Sequence, residues 1–394
     1  MSSIRFAFVA LLAFALAGCL APADFNDGRA IRAIRASPDD LAVAKTVYFA
    51  TTRCNDKTDG WTPGSADELF GLRCWDWALK NEEMRRLSFG MGEGAGVTCG
   101  SAAVTVVHVD GDKKAATNVE VPVSYDCTDN FETLRRVVLN APQQRAIVFV
   151  HGYNTTLGFG LKRTAQLSYD LSNGAVPIMF SFGAAGRLFD YLNDTEAAEL
   201  AAPSLQRLLA ALARADTDGA PKVDVIAHSM GARLTLRALS EGNPPTVRRV
   251  VLAAADVDPA AFLRLGGKAV KRTERLTIYT AEYDVALSTS QGTHGRPRVG
   301  AGLAAGVAGG LGGLEIVDAT ARATDPYAHS YFAESEVVLN DIRGALAGTP
   351  AAQRLPPSSC TGAPPGVVAC KIPCPEGKSC SPSLYARFVH WLFD

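Results

Sequence analysis

Ser229 lies in the pentapeptide Ala227-His228-Ser229-Met230-Gly231, with a small residue two places away on each side. An apolar strand candidate, Lys222 to Ala227, leads into it, and a helical stretch, Ala232 to Ser240, leads away. Strand, small-x-Ser-x-small, helix is the pattern of a nucleophile elbow, a turn so tight that neighbouring backbone crowds those flanking positions. Ala227 stands where glycine is usual and still supplies a small side chain. The chemistry open to such a serine is acyl transfer, which needs a base, a group to orient that base, and N–H donors for an oxyanion. Ser181 also follows a strand candidate, but Phe180 and Phe182 flank it and are too bulky for such a turn.

The amide of Met230 is one expected oxyanion donor, because it follows the nucleophile. The second is the amide of Tyr153 in Val150-His151-Gly152-Tyr153-Asn154, directly after the apolar strand Ala146 to Val150. Gly152 and Gly231 permit close backbone approach, and His151 is read as a support that holds this loop in shape. Three histidines after the serine could serve as base. His329 is favoured, because it falls between the last predicted strand and the closing helix. His294, in a glycine-rich loop, and His390, in the tail, are the alternatives. His228 must point away from the turn and is expected to pack in the core. For the orienting acid, Asp284 is favoured over Asp256 and Asp258, since it follows the strand just before the histidine loop.

The elements that must position these groups alternate regularly. Strands are predicted at 146–150, 176–180, 222–227, 248–254, 275–279 and 314–318, with helices at 158–171, 194–215, 232–240 and 335–346. Short unbroken apolar strands alternating with helices imply a parallel sheet covered on both faces, with its site at the carboxyl ends of the strands. Before residue 146 the sequence is β-rich, starting with Thr46 to Thr51. Gly90 to Ala95 formally fits a dinucleotide fingerprint, but no helix opens after it, so a loop is expected there. The stretch 292–313 is glycine-rich, which reads as a mobile loop, with a lid or membrane-facing flap as the alternative.

At 394 residues, 47% hydrophobic and 20% charged, the chain is long enough for one large α/β domain with additions. Its 39 basic and 40 acidic side chains leave a net charge of −1, and no basic block with interleaved aromatics appears, so nucleic acid is not an expected partner. Arg5 followed by an apolar run of 11 residues, Phe6 to Leu16, reads as a targeting signal, too short for a membrane span of ~20 residues. If Cys19 is set apart, the other eight of nine cysteines form an even number suited to an oxidising compartment. Local pairing is expected within Cys54, Cys74, Cys99 and Cys127, and within Cys360, Cys370, Cys374 and Cys380. A zinc site in the second group is the rival, weakened by the lack of a C-x-x-C pair. The organisation expected is a signal at 1–19, a tether at 20–44, a catalytic domain at 45–346 and a Cys-rich extension at 347–394. Within that domain, 45–145 is the β-rich part and 146–346 the core. The aromatic terminus, Leu384 to Phe393, could pack on the core or on a partner.

Two resemblances add to this. Leu16-Ala17-Gly18-Cys19 resembles a bacterial lipoprotein signal, which implies a lipidated Cys19 at the membrane after cleavage. Leu20 rather than Asp in the next position favours the outer membrane by the same analogy. Residues 45 to about 345 resemble the α/β-hydrolases, and within them an uncharacterised bacterial esterase/lipase-like group. The pieces that carry it are Val-Phe-Val-His-Gly-Tyr-Asn154, Ile-Ala-His-Ser-Met-Gly231, the strand with Asp284, His-Ser-Tyr-Phe332 and Tyr48-Phe-Ala-Thr-Thr-Arg53. Where that group commonly has Ser-Trp-Pro, this chain has Ser181-Phe182-Gly183, a departure expected to reshape the acyl pocket. The resemblance implies an α/β-hydrolase fold and hydrolysis of small-molecule or lipid carboxylic esters without metal or organic cofactor. Thioesterase, amidase or acyltransferase activity, or a non-catalytic envelope-binding lipoprotein, are the alternatives. Whether there is a protein partner is left open by the sequence.

Overall fold

The computed structural model of the protein describes residues 42–55, 89–107, 118–119, 123–127, 131–171, 174–184, 191–214, 222–302, 311–325, 327–362, 367–377 and 380–393. The signal-like segment with Cys19, most of the tether, Cys74 and residues 303–310 of the glycine-rich stretch lie outside these.

The strands are β1 (Ala42–Asn55), β2 (Phe89–Val107), β3 (Asn118–Val119), β4 (Val123–Asp126), β5 (Ala146–Val150), β6 (Val176–Ser181), β7 (Val223–His228), β8 (Val247–Ala253), β9 (Thr273–Thr280), β10 (Leu314–Asp318), β11 (Cys360–Gly362) and β12 (Val367–Lys371). The helices are α1 (Glu132–Asn140), α2 (Leu157–Leu171), α3 (Tyr191–Ala213), α4 (Met230–Ala238), α5 (Pro259–Ala269), α6 (Val285–His294), α7 (Tyr331–Glu334), α8 (Glu336–Ala347), α9 (Ala351–Arg354) and α10 (Leu384–Phe393). All twelve strands join one sheet in the order β11-β12-β10-β9-β8-β7-β5-β6-β1-β2-β3, with β4 also on β2. From β1 to β12 across its middle, every neighbouring pair is parallel; β2, β3, β4 and β11 add antiparallel edges. The expected α/β fold with a mostly parallel sheet is therefore present.

Alternation within the strands sends side chains to two cores. From β5, Val148 and Val150 face one layer with Leu205, Leu208, Leu234 and Phe262 of α3, α4 and α5. Ile147 and Phe149 face the other with Leu167 and Leu171 of α2 and Ile342 and Leu346 of α8. Strand order reverses between β5 and β7: the chain leaves β5 for β6, then crosses back to β7 and runs on through β8 and β9. That reversal opens a crevice at the carboxyl ends of β5 and β7, where Val150 and Ala227 stand side by side.

Two expectations change. Gly90 to Ala95 is not a loop but part of β2, because β1 keeps pairing past Thr51, through two register shifts, to Glu93 and Phe89. A helix, α6, occupies 285–294, so His294 ends a helix instead of lying in the glycine-rich loop; Asp284 accepts the Leu287 amide at its start, and Gly295 at φ 64° ends it. Disulfides join Cys99 to Cys127, Cys360 to Cys370 and Cys374 to Cys380, each within its own group. These bonds occupy all four C-terminal cysteines that the zinc reading would need. The extension is built into the sheet, for β12 lies parallel to β10. It is also tied by Arg354, which donates to Asp341 at 2.9 Å and to Glu315 at 3.1 Å. Among the described residues no helix is long and apolar enough to cross a membrane.

At the opposite end of the sheet from the crevice, the fully buried Asp224 accepts from Arg145 Nε at 2.7 Å and Arg248 Nε at 2.8 Å. Both guanidiniums and that of Arg249 also donate to the Leu346 carbonyl in the last turn of α8. Cations there complement the helix dipole and its unpaired carbonyls. Removing one partner of such a buried set leaves the others uncompensated, so Asp224→Ala is expected to lower stability by about 3–5 kcal/mol, read as a fall in the urea midpoint.

Candidate active site

Ser229 sits between β7 and α4 with φ 53° and ψ −121°, a region that residues with a Cβ avoid and that costs about 1–3 kcal/mol. Its backbone is held on both sides. The Ser229 amide donates to the Ala253 carbonyl at 3.0 Å, and its own carbonyl accepts from Ala232 at 3.0 Å and Asp256 at 3.1 Å. A Cβ on Gly231 would lie 2.3 Å from the His151 carbonyl oxygen, and one on Gly152 would lie 2.7 Å from the Ser229 Cβ. Neither position has room for a side chain, and at 231 this is the crowding that the elbow pattern expects. The loop after β5 is pressed directly onto the serine, which brings the segment carrying the Tyr153 amide beside the turn carrying the Met230 amide.

Asp284 and His329 meet at 2.7 Å between Oδ2 and Nδ1. The acid is fully buried and its other oxygen accepts the Leu287 amide at 3.0 Å. With Nδ1–H donating to the carboxylate, Nε2 is the imidazole nitrogen left to accept a proton. Burial pushes the His329 pKa down, but the Asp284 charge and hydrogen bond outweigh it and hold the group above its ordinary 6.5. Burial raises the Asp284 pKa, against the pull of His329 and the Leu287 amide. The His329 loop has supports of its own: Asp325 accepts the Tyr327 amide at 3.1 Å and the His329 amide at 3.4 Å.

His151 lies behind the β5 loop with both ring nitrogens engaged. Its Nε2 accepts the Phe182 amide at 3.2 Å and bonds to Ser181 Oγ at 2.9 Å, and its Nδ1–H donates to the Gly152 carbonyl at 2.8 Å. Burial, then the nearby Arg53 charge, lowers its pKa to about 3, so the ring is neutral. The buried Arg53 of β1 donates to Ser181 Oγ at 2.7 Å and also to the Thr155 carbonyl. The phenyl ring of Phe182 stacks on His151 at 4.4 Å, so the altered Ser-Phe-Gly segment still supplies an aromatic plane to this loop.

The alternatives for base and acid are committed elsewhere. His294 ends α6, with its Nδ1–H donating to the Ser290 carbonyl at 3.0 Å. His390 stacks edge-on against Tyr283. Asp258 caps α5, accepting from Ala260 and Ala261 at 3.0 Å. Asp256 accepts a hydrogen bond from Ser290 Oγ at 2.7 Å, faces Arg298 at 3.3 Å and accepts from Tyr191, whose ring lies edge-on to Tyr153. Sequence reasoning missed three of these supports. His228 is not simply core packing: its Nε2–H donates to the His329 carbonyl at 3.2 Å and its ring stacks on Phe332. Burial, then His329, keeps it neutral, with its pKa far below 6.5. No sequence signal distinguishes that role. Arg53 falls in a segment that carries the resemblance, but its contact with Ser181, like the role of Tyr191, acts across a long separation and has no sequence signal. The helix opened by Asp284 could have been found from its Asp cap and its closing glycine.

A parallel sheet whose order reverses beside a strained serine, with an Asp–His pair supplied after later strands, defines the α/β-hydrolase class of protein. Residues 127–345, more than half of the chain, match the family described as "Alpha/beta hydrolase of unknown function (DUF900)", and the chain belongs to that family. No curated protein matches it. Ser229, Asp284, His329 and the β5 loop all fall inside the matched span, whereas β1, β12 and α10 fall outside it.

Two outcomes are expected. Gly231→Ala should cost about 1–3 kcal/mol in denaturant unfolding, because the rigid backbone of residues 150–151 has no room to yield. In an NMR titration the His329 ring should keep its proton to a pH above 6.5, and Asp284→Asn should move that midpoint down.

Proposed function

We propose that the protein is a serine hydrolase that cleaves carboxylic esters and that its Cys19 is lipidated at a bacterial envelope membrane. The observation that carries the hydrolase reading is the Asp284–His329 pair at 2.7 Å, supplied to the same crevice as the strained Ser229. His329 Nε2 takes the proton of Ser229 Oγ as that oxygen attacks the ester carbonyl. The amides of Tyr153 and Met230 hold the oxyanion of the tetrahedral intermediate, each donor contributing about 3–4 kcal/mol. The intermediate collapses with the proton passing from His329 to the leaving alcohol, which leaves an acyl group on Ser229. Water, deprotonated by His329, then attacks that ester, and the acid departs as the proton returns to Ser229. Asp284 fixes the Nδ1–H tautomer throughout and stabilises the imidazolium. No step calls for a metal or organic cofactor.

Ser229→Ala should abolish labelling by a fluorophosphonate probe and turnover of p-nitrophenyl esters; undiminished labelling would overturn the assignment. The base must be neutral, so kcat/KM should fall as pH drops through a midpoint above 6.5. Asp284→Asn should lower kcat by about four orders of magnitude and shift that acid limb to lower pH.

A further inference from the structure

We propose that the outward face of α10 docks on a lipid bilayer and brings the adjoining site to esters embedded in it. The substrate class thus becomes lipid esters, a step that rests on the hydrolase reading above. The helix has two unlike faces. Ala386 and Val389 are buried against Val285 of α6, and the Phe393 ring covers Gly292. On the other side Leu384, Tyr385, Phe388 and Trp391 are 83%, 39%, 50% and 74% exposed. Leucine, phenylalanine, tyrosine and tryptophan on one side of a short helix are the set that settles at a membrane–water boundary. Residues 384–393 contain Arg387 and no acidic side chain, and the acidic Asp394 follows only after the helix.

The extent of the patch points to a bilayer rather than a second copy of the chain. Large side chains present ~150–250 Å² each, so at these exposures the four offer about 500 Å². A stable dimer needs about 800 Å² from each partner. A bilayer accepts a patch of this size, because it has no fixed surface to complement. The chain outside the described residues agrees: about 22 residues separate Cys19 from Ala42, enough to span ~75 Å, so an anchored Cys19 lets this face reach the same membrane.

Position links the patch to the site. The α10 helix packs along α6, the helix that Asp284 caps, and Tyr385 lies edge-on to Tyr327, two residues before His329. The start of α3, at the same end of the sheet, exposes Leu192 beside Tyr191, whose ring meets Tyr153 of the β5 loop. A bilayer touching α10 would therefore lie at the rim of the crevice.

The test uses the full chain and vesicles of equimolar phosphatidylethanolamine and phosphatidylglycerol carrying bromine along one acyl chain. Subtracting the emission of Trp391→Phe from that of the unaltered protein isolates Trp391 from Trp61, Trp75 and Trp77. That difference signal should shift to the blue and be quenched at least twofold; an unquenched signal overturns the proposal. A concentration-dependent dimer in ultracentrifugation that shields Trp391 from bromine assigns the face to a second copy and also overturns it. In a second arm, Phe388→Ser with Trp391→Ser should lose about tenfold in hydrolysis of a long-chain ester held in the vesicles. The same variant should keep its rate on a short soluble ester, which also reports that it is folded. Equal rates of the variant and the unaltered protein on both esters overturn delivery of the site to lipid. If the unaltered protein cleaves neither ester, the hydrolase reading fails, and quenching still decides the docking.

Discussion

The contact between residues 150–152 and residues 229–231 is the constraint on which the rest of the site depends. Two strand ends, made neighbours by the reversal of the sheet between β5 and β7, approach until carbonyl oxygens stand where side chains would begin. Glycine at 152 and 231 and the left-handed conformation of Ser229 are consequences of that approach. The strain is held rather than relieved, because the Ser229 backbone is bonded at once to β8, to α4 and to the segment that follows β8. A hydroxyl carried on such a turn projects from the sheet instead of lying in it. The helix that begins one residue later turns its unpaired amides toward the same space.

Around that contact the protein places polar groups that are buried but matched. His151, Ser181 and Arg53 form a chain of hydrogen bonds behind the β5 loop, and Asp256, Ser290, Tyr191 and Arg298 form another beneath the serine. The first chain reaches from β1 across β6 to β5, so the β-rich N-terminal part helps shape the β5 loop. Each cluster pairs its charges or keeps its titratable rings neutral, as a buried polar network must to be stable. Rotamers fixed in this way hold a reactive geometry more closely than loop packing alone could.

Much of this was legible beforehand because local patterns encode it. Periodicity placed β5, β6, β7, β8, β9 and β10 to within two residues, and the small residues around Ser229 marked the elbow. Chain order placed Asp284 and His329 ahead of their rivals, and the structure sets those two side by side. What stayed hidden depends on the tertiary fold. The pairing of β2 with the distal part of β1 overrode a glycine-rich stretch that looked like a loop. The weakly amphipathic α6 carried only its caps as signals. The hydrogen bond from His228 to the His329 loop, and the reach of Arg53 to Ser181, join residues about a hundred positions apart. No spacing rule addresses such pairs.

Strand β12 gives the Cys-rich tail a meaning beyond its cysteines. It pairs along the full length of β10, and it arrives from the far side of α8 and α9, after every candidate catalytic residue has been made. Until those last residues are in place, the nascent sheet ends on β10, whose unpaired amides and carbonyls would template the wrong neighbour. The tail is thus a guard on the growing edge, and the Cys360–Cys370 bond, set across paired positions of β11 and β12, fastens it there. In a chain made from its N-terminus onward, the segments that carry Ser229, Asp284 and His329 all precede the strand that covers the β10 edge, so that edge is the last part of the sheet to be closed.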